Sequence, residues 1–368
     1  MKVPVSTPDI TEEDIQSVTE CMKAGWISGI SPWVEKFEKA FAKYVGTRYA
    51  IATSSGTTAL HLSCAALNIE RGDEVIMPTF TMIASANAVN YLGTKPVFVD
   101  SYYDSWCIDI EQVKEKITKK TVAIMPVHVY GHPCDMKALV EIAEDRDLYL
   151  IEDAAESHGA EIEGLGKTGS IGDVGAFSLY ANKIITTGEG GMITTDHQNV
   201  YERAQWLRTH AFGRHGKHYW HEEVGYGYRM SGLQGALGLS QVPRIDHYAE
   251  KRRNNAKLYM KELAPYKDYF RFPVEFPGYK NVYWMFSLVL KSDCPLDRNE
   301  LMMELDRKDV ETRTFFFPLH VQPPYKTDET FINAELLSEI GINLPSGNQL
   351  TEEQIKYVCD CIEEIVEE

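Results

Sequence analysis

Three stretches of the chain place reactive side chains directly after short apolar, β-branched runs. The first, "TSSGTTALHL", sets Gly56, Thr57 and Thr58 at the start of a helix-period segment. The first amides of a helix have no partner within it. With nearby hydroxyls and the positive end of the helix dipole they form a cradle for an anion. The same residues also suit an ordinary Ser/Thr cap. The second stretch, "LYLIEDAAESHGA", puts Asp153 at a strand end, where an acid has no packing role. It could hold a proton on a ring nitrogen, bind a metal or cap a helix. The third, "FSLYANKIITTGEGG", places Lys183 five residues after Ser178 and ahead of Gly190 and Gly191. A lone lysine is ordinarily a solvated charge. An anion cradle, a carboxylate and an amine are nevertheless the three groups that a phosphorylated pyridine aldehyde, pyridoxal 5'-phosphate (PLP), requires. From the residues alone, that site and a set of unrelated caps and surface charges both stand open.

The elements that must position these residues alternate regularly. Strands are predicted at 49–53, 74–77, 96–99, 122–127, 148–152, 174–179 and 191–195, and helices at 57–67, 82–90 and 136–145 among others. Such alternation predicts a mostly parallel sheet with helices on its faces, and ligands in these sheets sit beyond the carboxyl ends of the strands. From Leu233 a long helical pattern runs on and is expected to bend at Pro243. After it, "VYWMFSLVL" and further helices suggest a smaller α+β unit. The expected division is 1–245 and 246–368.

Composition narrows the partners. The net charge of −17 argues against a nucleic-acid surface. The 7 cysteines are scattered without a C-x-x-C pair, as in a reduced, cytoplasmic protein. No apolar run approaches membrane-spanning length, so a soluble, cytoplasmic protein is expected. An anionic ligand therefore needs local donors, and Arg208, Arg214, Lys217 and Arg229 concentrate positive charge in one segment. "GLGKTG" fits G-x-G-x-x-G but leads into a strand rather than a helix, so the dinucleotide reading fails. His215, His218 and His221 recur every three residues in a loop without a second ligand motif, and no metal is expected. His128 and Tyr130, at another strand end, are expected to shape a pocket.

Nearly end to end, the chain resembles the DegT/StrS sugar-nucleotide aminotransferases. The resemblance rests on "SSGTTALHL", "PTFTMIASANAV", "PVHVYGHPCDM", "EDAAESHGAE", "GDVGAFSLYANKIITTGEGGMITTD", "YRMSGLQGALGLSQ" and "FFFPLHVQPPY". It implies the aspartate-aminotransferase-like fold (PLP fold type I): a three-layer α/β/α large domain with a smaller C-terminal α+β domain. It also implies a homodimer with active sites at the interface. By position, Lys183 would bond the cofactor aldehyde and Asp153 would face the pyridine nitrogen. Ser178, Gly56, Thr57 and Thr58 would hold the phosphate, and Glu156 would lie beside the phenolic oxygen. Met82 stands where relatives often place an aromatic ring against the cofactor. Ser28, Arg229 and His320 fall in segments that line the sugar-nucleotide site. Gly227 replaces an asparagine that in relatives reaches the partner's phosphate, and Ser31 stands where glycine is usual.

The implied reaction is amino transfer from L-glutamate to a keto-sugar nucleotide. Glu156, where many relatives carry glutamine, resembles the subgroup that aminates C4 of a GDP-linked 4-keto-6-deoxyhexose. UDP- or dTDP-linked C4 amination and C3 amination are the alternatives. A dehydratase on the same fold carries histidine in place of Lys183. A non-enzymatic sugar-nucleotide-binding protein would have no use for the intact set.

Overall fold

The computed structural model describes residues 1–213 and 219–367. In chain order its strands begin with β1 (Tyr49–Thr53), β2 (Glu74–Pro78), β3 (Lys95–Val99), β4 (Thr121–Ile124) and β5 (Tyr149–Asp153). Short β6 (Glu161–Ile162) and β7 (Gly166–Lys167) follow, then β8 (Val174–Ser178) and β9 (Gly191–Thr195). The main sheet has the order β1-β9-β8-β5-β4-β2-β3. Its pairs are parallel from β8 through β5, β4 and β2 to β3, whereas β9 runs antiparallel to both neighbours. The exception has a simple cause. No crossover helix lies between β8 and β9, and a strand that returns directly must run antiparallel. Helices cover both faces, so the central strands read as continuous apolar runs: Ile51, Ile76, Met77, Ile124, Ile151, Phe177 and Ile193 are fully or almost fully buried.

Every strand predicted in this region is present, with one instructive boundary shift. The fourth was expected to reach Val127 but the regular ladder stops at Ile124. Pro126 has no N–H for a ladder, and only an isolated bridge joins Val127 to Asp153. The chain then turns at Tyr130, which takes a left-handed φ of 52°.

The long helical pattern also bends as expected. Helix Gly232–Gln241 passes through a 3-10 turn at Val242–Arg244, containing Pro243, into helix Ile245–Glu262. Beyond it come β10 (Phe270–Arg271), β11 (Tyr279–Lys280), β12 (Phe286–Leu290), β13 (Arg313–Thr314) and β14 (Gly341–Leu344). A second sheet of order β10-β12-β14-β13 packs under helix Glu352–Glu367, and β11 joins β6 and β7 in a small third sheet. Helix Ile245–Glu262 spans two cores: Ile245 and Ala249 belong to the first, Ala256 and Tyr259 to the second. The second core also takes in Val3, whose amide donates to the Asp309 carbonyl at 2.8 Å. Trp284 and Phe315, late in the chain, pack in the first core. The division at 245/246 is thus a proposal about folding units, drawn one residue into helix Ile245–Glu262, along which one core gives way to the other.

Helix Gly232–Gln241 lies tight against helix Pro32–Val45 because its glycines present no side chain. A Cβ at Gly238 would stand 2.5 Å from the Phe37 ring, and one at Gly235 would stand 2.9 Å from Val34. Phe37 is fully buried and cannot step aside. Gly238→Val should therefore lower unfolding free energy by about 2 kcal/mol or more through overpacking. A denaturant midpoint equal to wild type would show that the helices part without cost.

Candidate active site

The parallel arrangement brings the carboxyl ends of β1, β2, β4, β5 and β8 to one edge of the sheet. A cavity of about 440 Å³ opens there, closed on its far side by Trp284, Met285, Arg313, Thr314 and Phe316. Gly56, Thr57, Met82, Asp153, Glu156, Ser178 and Lys183 all line it.

At the start of helix Gly56–Ala66, Ser55 is the N-cap and accepts from the Thr58 amide at 3.1 Å. The Ser55 amide in turn donates to Thr58 Oγ1 at 2.9 Å. The cap thus occupies the Thr58 hydroxyl, and Thr58 is not among the cavity-lining residues. Gly56 and Thr57 remain to present the helix's first amides. A Cβ at Gly56 would stand 2.8 Å from Ser178 Cβ, so only glycine lets the end of β8 approach the helix start. Gly191 serves the same approach from below, since a Cβ there would meet the Ser55 carbonyl at 2.2 Å.

Asp153 closes β5 and is buried. Its Oδ2 accepts from Ser85 Oγ at 2.7 Å, and Oδ1 accepts from the Ala155 amide at 3.2 Å. Burial raises its pKa, and these donors and the nearby Lys183 charge oppose that rise. Lys183 Nζ lies 3.7 Å from Glu156 Oε1, its side chain only 9 % exposed. It also sits 3.5 Å above the Trp284 ring, a cation–π contact that fixes its direction. The Trp284 indole N–H donates to the Asn182 carbonyl at 2.9 Å, which ties that ring to the lysine's own turn. Burial lowers the Lys183 pKa, against the pull of Glu156 and Asp153. Glu156 Oε2 accepts from the Tyr130 amide at 2.8 Å. Burial is the largest influence on Glu156 and pushes its carboxyl up to about 7, with Lys183 and the Tyr130 amide acting the other way.

Other sequence-predicted residues fall elsewhere. Tyr130 lines the cavity and stacks on Phe316 with centroids 5.0 Å apart. His128 does not: it is fully buried behind the strand, between the Cys134 amide at 3.0 Å and Glu152 at 3.0 Å. His320 is buried between Thr79 Oγ1 at 2.8 Å and Glu335 at 3.0 Å, outside the cavity lining. Ser28 and Arg229 are exposed and do not line the cavity. They share one edge: the Gly232 amide donates to the Ile27 carbonyl at 2.9 Å, and Arg229 bridges Thr53 at the end of β1. Arg208 cannot serve a diphosphate. It is buried, with Nη1 donating to Glu38 at 2.5 Å and to the Ala52 carbonyl at 2.7 Å. Arg214, Lys217, His215 and His218 lie outside the described residues. His221 faces the His210 carbonyl at 2.7 Å, and among the described residues no cluster of His, Cys, Asp or Glu could hold a metal. Ser31 caps helix Pro32–Val45, accepting from the Trp33 amide at 3.3 Å.

Sequence reasoning missed Ser85, Trp284 and Arg313. Ser85 sits in an ordinary helix-period run. Trp284 and Arg313 come from segments more than a hundred residues after Lys183, and no local pattern links them to it.

The donor set fits PLP. Gly56, Thr57 and Ser178 line the cavity with donors that a phosphate could use, and a Cβ at Gly56 would push Ser178 away from the helix start. A buried carboxylate, Asp153, with no cation of the described residues at hydrogen-bond distance matches a ring nitrogen that carries a proton. A buried amine of lowered pKa matches an aldehyde. The fold and site are those of a PLP-dependent aminotransferase. The chain belongs to the DegT/DnrJ/EryC1/StrS aminotransferase family, whose model matches residues 8–363. It is 40% identical to the GDP-perosamine synthase of Escherichia coli O157:H7, over 98% of both chains. The aminotransferase from Psychrobacter cryohalolentis superposes with a TM-score of 0.93 at 28% identity, over 99% of this chain and 100% of that one. Spr1654 of Streptococcus pneumoniae, solved in its PLP form, gives 0.93 at 26% identity, over 100% and 99%.

The raised Glu156 pKa has a sign that can be tested. Between the unfolded value of 4.5 and about 7 the folded cofactor-free protein binds the extra proton. This contribution to stability is full below 4.5 and is lost as pH rises through about 7. Denaturant unfolding at both ends of that interval should show wild type losing more stability than Glu156→Gln. Equal losses would mean that Lys183 keeps the carboxylate ionised throughout.

Proposed function

We propose that the protein transfers an amino group from L-glutamate to C4 of a nucleotide-linked 4-keto-6-deoxyhexose. The acceptor we favour is GDP-4-keto-6-deoxymannose, giving GDP-perosamine. The observation that carries this reading is the near-full-length identity to a GDP-perosamine synthase, joined to an acid at Glu156 within the Lys183 site.

When bound, PLP supplies the aldehyde that carries the amino group and a ring that takes up electrons as a C–H bond breaks. The chain's residues do the rest. Gly56, Thr57 and Ser178 hold the phosphate. Asp153, kept in place by Ser85, holds the proton on the ring nitrogen. Lys183 holds the aldehyde and then, as a free amine, moves the proton at the carbon bearing nitrogen. Its lowered pKa favours the neutral form that can accept a proton. Trp284, Tyr130 and Phe316 wall the cavity and limit water. Arg313 is the only guanidinium among the described lining residues, so it would receive an anionic group of donor or acceptor.

Ser28, Arg229 and His320 we assign to the sugar-nucleotide side. The first two reach a substrate that extends out of the cavity, and His320 acts by bracing the wall. A second copy of the chain would cover this rim. Trp26, Ile27 and Ile30 are exposed by 47%, 53% and 74% beside Ser28, an apolar edge that supports a homodimer with sites at the interface.

Lys183→Ala should abolish transamination and the yellow absorbance of the holoenzyme while leaving the thermal midpoint near wild type. Turnover at the wild-type rate without added amine would refute its role. The acceptor is tested by comparing GDP-, UDP- and dTDP-linked 4-keto sugars with glutamate as donor. GDP should give the highest kcat/KM, by about tenfold or more. A preference for UDP or dTDP would move the assignment to a viosamine-type product, and a preference for 3-keto sugars would overturn C4.

A further inference from the structure

A second cavity of about 580 Å³ lies between the segment 102–108, the start of helix Met136–Arg146 and the β11 region. It shares no lining residue with the catalytic cavity. The Trp106 ring, packed on Tyr130 and Phe315 at 5.9 and 5.1 Å, stands between the two. Its size falls in the range of ligand pockets, which run from about 300 to 1,000 Å³.

The walls are aromatic and acidic. Tyr103, Phe276 and Tyr279 supply rings, Tyr279 with the His132 imidazole stacked on one face at 5.7 Å; Asp104 and Asp135 supply carboxylates, and no lysine or arginine is among the lining residues. Burial and the neighbouring Asp135 carboxylate push the Tyr279 phenol up to about 12, so it stays neutral and adds no further negative charge. At one end the protein already places a cation of its own. The Arg271 guanidinium lies 4.8 Å above the Tyr103 ring and pairs with Asp104. At the other end Phe276 and Tyr279 pack edge to face at 6.2 Å beside Asp135. Asp135 caps its helix through Oδ1, which accepts from the Ala138 amide at 3.2 Å. Among the described residues no lysine, arginine or histidine forms an ion pair with it.

We propose that this cavity binds a small organic cation, an ammonium with an aromatic or alkyl body, held by Asp135 and the rings of Phe276 and Tyr279. Cation–π attraction and a facing carboxylate are the shared elements of ammonium recognition, and the Arg271–Tyr103–Asp104 group is the same arrangement made within the chain. The helix dipole opposes a cation at this end. It amounts to about half an elementary charge, less than the full charge of the carboxylate that stands in front of it. An anion meets both the carboxylates and the negative ring faces, and the nearby Arg271 is already paired with Asp104. The inference does not rest on the proposed sugar substrate.

Calorimetric titration of the holoenzyme with benzyltrimethylammonium tests it, since a quaternary amine cannot react with the cofactor aldehyde. Saturable binding is expected in the millimolar range or tighter, and phenylacetate should not compete with it. Asp135→Asn keeps the helix cap and removes the charge, and should weaken binding about tenfold. Phe276→Ala should weaken it severalfold. Lys183→Ala should bind as wild type does. Absence of saturable binding to wild type, unchanged affinity in Asp135→Asn, or loss of binding in Lys183→Ala would each overturn the proposal, the last by placing the ligand in the catalytic cavity.

Discussion

Two carboxylates and one amine share a space from which water is largely excluded, and the rest of the site exists to make that tolerable. Burying a single charge without partners costs several kcal/mol. Asp153 is held by a serine hydroxyl and a backbone amide, Glu156 by the Tyr130 amide, and Lys183 by Glu156 and the face of Trp284. None of these partners is close in sequence to all three groups. The sheet must therefore be right before the charges can be. β5 has to sit between β4 and β8, so that the turn after one strand and the loop after the other meet above Asp153.

This dependence explains the unusual backbone at Tyr130. A non-glycine residue with φ of 52° costs free energy. In that conformation its amide points at Glu156 while its ring stacks on Phe316 and its hydroxyl accepts from the Phe316 amide at 3.1 Å. One residue thus joins the loop after β4, the acid beside the lysine and the C-terminal part of the chain. The strain is the cost of that junction, offset by a hydrogen bond to a buried carboxylate and by ring burial.

Much of this was legible in the sequence because the information is local. Apolar, β-branched runs marked each strand of the main sheet, and Lys183, Asp153 and Gly56 stood out by falling just after such runs. The failures share a different cause. Arg208 reads as free positive charge, and only the three-dimensional structure shows Glu38 taking it. Thr58 reads as a cradle residue, yet its hydroxyl is used up by the cap one turn earlier. Trp284 and Arg313 belong to the site through tertiary closure, which leaves no periodic trace. The turn at Pro126 lies between these cases: the proline is visible, and so is its inability to extend a ladder.

The attachment of Val3 to the far end of the chain has a consequence for how the molecule comes into being. Val3 pairs with Val310, and the Val5 amide donates to Glu311 across 306 positions of sequence. Domains emerge from the ribosome amino end first and tend to fold as they appear. Here the leading residues have no place to settle until nearly all of the polypeptide has been made. The large sheet, whose first strand begins at Tyr49, can form while the segment around Val3 is still waiting. The contact is a stitch, in which the segment around Val3 is joined to residues synthesised some 306 positions later.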